Sequence, residues 1–180
     1  MKRLVINVLA FQVGWFSCVI GAANGYPLVG PVVTLLVVAV HLALAYQPRT
    51  ELMLILFAGV AGACFDSLLL QTGWVAYPNG ILLPGLAPYW IVAMWLLFAT
   101  TLNVSMRWLH RNYVAAAFLG MVGGPLSYLG GARLGGLVFV DMTSALVALG
   151  IGWAVMMPLL AWVSKRHDGM RAQDPVVQHA

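Results

Sequence analysis

Six long apolar stretches, separated by short polar breaks, organise this chain. Each is long enough for a membrane-spanning helix, which needs roughly 20 predominantly apolar residues. The pattern predicts helices over residues 4–22, 28–46, 52–71, 88–106, 113–129 and 143–164. Tyr26, Trp74, Tyr77, Tyr89 and Trp90 gather at one set of helix ends, and Tyr46, Trp108, Tyr113 and Trp162 at the other. Such rings suit the headgroup zones of a bilayer and mark the same boundaries independently.

The basic residues orient the bundle. Of nine Lys and Arg residues, eight fall in every second break: Lys2 and Arg3, then Arg49, then Arg107 and Arg111, then Lys165, Arg166 and Arg171. This is the positive-inside pattern. It predicts an all-α integral membrane bundle of six transmembrane helices with both termini in the cytoplasm. Residues 1–166 form the transmembrane domain, and the polar stretch 167–180, interrupted by Pro175, reads as a disordered cytoplasmic tail. The start also resembles a secretory signal, with Gly21-Ala22-Ala23 as a small-residue cleavage site. Asn7 and Gln12 interrupt that run, so the first helix is read as retained.

Composition excludes a soluble domain. Hydrophobic residues make up 62% of the chain and charged residues 8%, against the roughly 25% charged residues that a soluble surface needs. Mean hydropathy is +0.93. The net charge of +4 is spread over the membrane flanks, so it points to anionic lipids and not to nucleic acid. Cys18 and Cys64 lie within spans at similar depth; such thiols behave mostly as small apolar residues. No Cys/His spacing fits a metal site, and no cofactor is expected.

Small residues recur every fourth position: Ala10, Gly14 and Cys18; Ala116, Gly120 and Gly124; Gly150 and Ala154. Stripes of this kind let helices approach closely in lipid. They serve packing within the bundle or a face for a membrane-protein partner. Pro125 and Pro158 are expected to bend or loosen the fifth and sixth helices.

The polar residues inside the spans are the candidates for function. Asp66 is the one acid well within a predicted helix, and a buried acid in lipid usually has a partner. Arg133 is the one basic residue on the external side, within a glycine-rich run. The two are expected to pair, which would remove both anomalies. The external loop 73–87 has no charge, two prolines and the apolar run Ile81-Leu82-Leu83, so it is expected to lie in the interface or fold over the bundle. Asn24, Tyr77 and Asn79 lie at similar depth. These five residues form the candidate ligand site: an outward pocket bounded by helices 1, 3 and 5 beneath that loop. Asn7, His41, Asn103 and Arg107 form a second group at the cytoplasmic side, read as anchoring helix ends. His41 is expected to be a hydrogen-bonded packing residue, with no acidic partner at its depth.

Gly14-Trp15-Phe16, Gly21-Ala22-Ala23-Asn24-Gly25, Phe65-Asp66-Ser67, the run from Leu83 to Trp90, the run from Leu97 to Asn103 and Gly123-Gly124-Pro125 resemble a family of small bacterial inner-membrane proteins known as a domain of unknown function. The resemblance covers the chain to about Arg166. It implies a bacterial inner-membrane location and a place beside enzymes that modify membrane fatty acyl chains, but no activity and no functional residues.

Three classes of function follow. The first is a non-enzymatic accessory or binding protein that handles a lipid or other lipophilic ligand in the outer half of the bilayer. The second is a substrate-capture subunit of a transporter, similar in size and span number to those of energy-coupling-factor systems, with Ala10, Gly14 and Cys18 as a docking face. The third is an intramembrane lipid-modifying enzyme. It ranks last, because only one His lies within a span and no nucleophile has a base in reach.

Overall fold

A computed structural model describes residues 2–172. The chain is all-α with six helices: α1 (Lys2–Ala23), α2 (Val29–Ala43), α3 (Pro48–Gln71), α4 (Tyr89–Leu102), α5 (Tyr113–Arg133) and α6 (Met142–Arg166). Four of them (α1, α3, α5 and α6) are long and apolar enough to cross a membrane. The other two are apolar but shorter, at 15 and 14 residues. All six predicted helix centres are present, and the differences lie at the ends.

Each difference has a local cause. α2 ends at Ala43 because the chain must turn before Pro48, and a residue preceding proline disfavours the α conformation. Pro48 then opens α3 at the first helical position, where its missing N–H costs nothing. Glu51 thereby enters the first turn of α3 and is 0% exposed, one turn earlier than the sequence pattern places the helix. α4 stops at Leu102, and a 3-10 turn, Arg107–Arg111, follows. α5 runs through Pro125 and on to Arg133, four residues past its predicted end. The expected loosening at Pro125 therefore does not end the helix.

The helices alternate in direction. At one end, Asn7 of α1, His41 of α2, Glu51 of α3, Asn103 after α4 and His167 after α6 are joined by hydrogen bonds, directly or through Thr100 and Ser105. At the opposite end, the two-residue strands β1 (Val75–Ala76) and β2 (Val138–Phe139) pair antiparallel, Val75 with Phe139 and Ala76 with Val138. The pair ties the loop after α3 to the segment before α6.

α4 is the central helix, packed against α1, α2, α3 and α6. Its buried face is almost its whole circumference, from Trp90 to Leu102, as expected for a helix apolar on all sides. α5 and α6 form a closely packed hairpin, while α1 packs on α2 and α4. The outward faces carry large exposed apolar residues, among them Leu35, Leu36, Val60, Phe118, Val122 and Ile151. Surfaces of that extent are stable only when lipid or protein covers them.

The small residues sit where backbones cross. A side chain at Gly120 would overlap the Trp153 carbonyl, one at Gly124 the Trp153 ring, and one at Gly30 the Cys18 backbone. Gly14 holds Leu97. Gly14 and Cys18, expectations for a docking face, are thus covered within the chain. Cys18 lies 3.8 Å from Thr34, and Cys18 and Cys64 are both free thiols.

Gly124→Ala is expected to lower the thermal midpoint in detergent, because the added methyl meets an indole held on both faces. Gly123→Ala is expected to be neutral or stabilising. Nothing lies within 4 Å of its added methyl, and Ala exceeds Gly in helix propensity by about 1 kcal/mol. Thermal unfolding of the two variants side by side checks this.

Candidate functional site

Asp66 lies on α3, one and a half turns before its end, and is 0% exposed. Its carboxylate accepts three hydrogen bonds. The Trp95 indole N–H donates to Oδ2 at 2.6 Å, and the hydroxyls of Tyr77 and Tyr128 donate to Oδ1 at 3.2 and 2.5 Å. Loop 73–87, α4 and α5 thus converge on one side chain. Burial, then the Asp66 charge beside it, raises the Tyr77 phenol well above its ordinary value. It stays protonated and remains a donor.

The expected Asp66–Arg133 pair does not form. Arg133 is exposed at the last turn of α5 and makes no ion pair among the described residues. A cation at that position complements the helix dipole, which accounts for its place without a buried partner. Asn24 is exposed, and its amide donates to the Ile20 carbonyl, capping α1. Asn79 donates to the Ala22 carbonyl at 2.9 Å, and its own carbonyl accepts from the Trp90 indole at 3.0 Å. Of the five candidate residues, then, Asp66 and Tyr77 are in contact. Asn79 fastens loop 73–87 to α1 and α4, and Asn24 and Arg133 stand apart.

The loop itself divides in two. Tyr77 is buried, edge-on to Trp90 at 5.9 Å. The Ala87 N–H donates to Ser67 Oγ and the Gln71 amide to the Gly85 carbonyl, which draws the loop over the end of α3. Ile81, Leu82 and Leu83 project outward, Leu82 at 75% exposure.

A cavity of about 220 Å³ lies between α1, α4, α5 and α6. Its walls are Phe11, Trp15 and Val19 of α1, Trp90 to Phe98 along α4, Leu119 to Gly131 along α5, and Trp153 and Met157 of α6. From Leu119 to Gly131 it follows α5 for about 18 Å at 1.5 Å per residue. α1 and α5 both line the cleft, which lies between them. Gly123 is part of that lining, with no atom within 4 Å of where its side chain would begin. The Asp66 end is closed: Trp15 reaches Gly130, and Gly136 rests on Val19 and Trp90.

These walls correct the expected pocket. α1 and α5 bound it, but α4 and α6 replace α3, and loop 73–87 contributes no lining residue. Asp66 stands behind the wall, reaching the cleft only through Trp95 and Tyr128. Trp95 stacks on Trp153 at 4.6 Å, and Phe98 meets both rings edge-on. Sequence reasoning missed Trp95, Tyr128 and Trp153 because it read them as apolar filling. Their polar tips were the available signal: a mid-helix Tyr or Trp in an apolar span needs a hydrogen-bond partner.

At the opposite end, Glu51 accepts from the Asn103 amide and the Gly169 N–H, both at 2.9 Å, and lies 2.9 Å from His41 Nε2. His41 therefore does have an acidic partner, on the next helix. The Gln47 N–H donates to the Gly169 carbonyl at 3.0 Å, and Arg107 pairs with Asp168 at 2.6 Å. Residues 167–170, expected to begin a structureless tail, form a turn fastened to α3 and the 3-10 turn; residues 173–180 lie outside the described residues. No group of three or more His, Cys, Asp or Glu among the described residues is arranged to hold a metal.

The sequence pattern of a family described as "Protein of unknown function (DUF2878)" matches residues 4–159. The chain belongs to that family. No curated protein and no solved structure matches it. The DUF2878 match spans all the cleft residues and both buried acids, but not the turn that holds Glu51 from the C-terminal side.

In a double-mutant cycle, Asp66→Ala and Tyr128→Phe are expected to be coupled by roughly 1 kcal/mol or more, as for hydrogen-bonded buried partners. Asp66→Ala and Arg133→Gln are expected to add within about 0.5 kcal/mol. Unfolding in mixed micelles of detergent and denaturant measures both cycles. Deleting residues 167–180 is expected to lower the thermal midpoint, and Glu51→Ala to add little further loss, because both remove the same contacts.

Proposed function

We propose that this DUF2878 protein is a six-span bacterial inner-membrane protein, with both ends in the cytoplasm, that binds one acyl chain of a membrane lipid in the cleft between α1 and α5. It acts as a binding or accessory protein and not as a catalyst. The observation that carries this reading is the apolar, aromatic-walled cleft between α1, α4, α5 and α6. A bilayer-facing slot admits ligands from lipid, and one lined almost wholly by carbon selects an apolar chain.

Size narrows the ligand. About 220 Å³ is below the roughly 300–1,000 Å³ of pockets that enclose a drug-sized molecule. One slender chain fits; a whole two-chain lipid does not. The length agrees: about 18 Å of cleft is comparable to half of a hydrocarbon core roughly 30 Å thick, the depth of one leaflet. The orientation rests on charge. Lys2, Arg3, Arg49, Arg107, Arg111, Lys165 and Arg166 all belong to the Glu51 end and Arg133 to the other, so the Asp66 end faces outward in this reading.

Gly123→Phe tests it directly, since Gly123 lines the cleft and nothing lies within 4 Å of a Cβ added there. Native mass spectrometry of protein released from phospholipid nanodiscs is expected to show a retained lipid on the wild type. That lipid should be lost from Gly123→Phe at an unchanged thermal midpoint. Equal retention by both proteins would remove the cleft as the binding site.

A further inference from the structure

Few polar groups line the apolar cleft. Besides the indoles of Trp15 and Trp90, the latter donating to the Asn79 carbonyl, they are Ser127 and Tyr128 of α5, Trp95 of α4 and Trp153 of α6. Three of these four are committed: Trp95 and Tyr128 donate to Asp66, and Ser127 donates to the Gly124 carbonyl at 2.7 Å. Trp153 is the exception. Its indole N–H is buried and makes no hydrogen bond of normal geometry, with the Tyr128 hydroxyl as a polar neighbour. A buried donor left unmade in a hydrocarbon environment is costly, and indole has no other way to satisfy it.

We infer, resting on the cleft reading above, that the bound chain carries an uncharged carbonyl oxygen that accepts from the Trp153 indole N–H, making the ligand class a neutral acyl ester or amide.

Charge excludes the free acid anion. Asp66 accepts three hydrogen bonds, the arrangement that satisfies an ionised carboxylate, and two of its donors, Trp95 and Tyr128, line the cleft. A second carboxylate brought there would meet like charge in a low-dielectric setting, where repulsion is weakly screened. A neutral carbonyl supplies the acceptor without that penalty.

The test compares three probes of equal chain length (an alkane, its methyl ester and its carboxylate), each titrated into detergent-solubilised protein and followed by native mass spectrometry. The ester is expected to bind roughly three- to tenfold more tightly than the alkane, the increment of one neutral hydrogen bond. The carboxylate should gain nothing over the alkane. Trp153→Phe is expected to abolish the ester preference, so that ester and alkane bind this variant alike. In nitrogen-15-labelled wild-type protein, the Trp153 indole resonance should shift with the ester and stay in place with the alkane. This second readout needs no variant.

Equal affinity for ester and alkane, or an ester preference that survives Trp153→Phe, overturns the carbonyl assignment. If the alkane still binds and Gly123→Phe still blocks it, the cleft reading stands and only this inference fails. If none of the three probes binds, both fail together.

Discussion

The three hydrogen bonds to Asp66 hold the molecule's two parts in register. α1 to α4 form one packed group around α4, and α5 with α6 forms a hairpin beside it. The hairpin touches the group through the Trp95–Trp153 stack, through Phe65 against Gly152, and through Tyr128 on Asp66. Stacking and dispersion are weakly directional, whereas a carboxylate with three donors fixes both distance and angle. A buried ion of this kind loses several kcal/mol of hydration, and hydrogen bonds to a charged group return about 1.5–3 kcal/mol each. The net gain in stability is therefore modest, and the larger consequence is geometric. α5 is fixed to α3 and α4 near one end, and the cleft lies between it and α1.

Glu51 plays the matching role at the other end of α3 by a different route. Asp66 gathers neutral aromatic donors from within the bundle. Glu51 gathers an imidazole, an amide and a backbone N–H from three separate elements, close to where polar chain is available. Its place in the first turn of α3 sets an anion against the positive end of the helix dipole, an added stabilisation that Asp66 lacks. One helix thus carries a buried acid near each end, and each acid draws in a connecting segment: loop 73–87 at one end and residues 167–170 at the other.

Much of this fold was legible in the sequence because apolar runs and turn residues are local signals. All six helix centres follow from them. The ends of α2 and α4 did not, because Asn103 stops α4 by bonding to Glu51 and His167, residues 52 and 64 positions away. Asp66 was legible as a buried acid requiring partners, yet the partner chosen by charge was wrong. Charge favours Arg133, but α5 continues one turn further than its apolar pattern suggests and carries Arg133 out of reach. Tyr77 was found because it lies in a loop with too little polarity. Tyr128 and Trp95 were not, since aromatic rings within apolar runs satisfy the hydrophobic pattern whether or not their tips are bonded. His41 was paired wrongly with nothing, because Glu51 stood just outside the predicted start of its helix.

The glycines of α5 separate packing from vacancy. Gly120 and Gly124 face α6, and each is the only residue type that its contact with Trp153 admits. Gly123 lines the cleft, where an added Cβ finds no atom within 4 Å. A glycine inside a helix costs about 1 kcal/mol relative to alanine, and an unfilled apolar gap forfeits the dispersion contacts of its walls. Packing within the chain therefore accounts for the first two positions and works against the third. What the third position does accomplish is to keep open the cleft between α1 and α5, whose wall holds a buried N–H that lacks an acceptor. Both local deficits, the missing volume and the missing acceptor, are removed by one chain lying in the slot with one oxygen at that N–H.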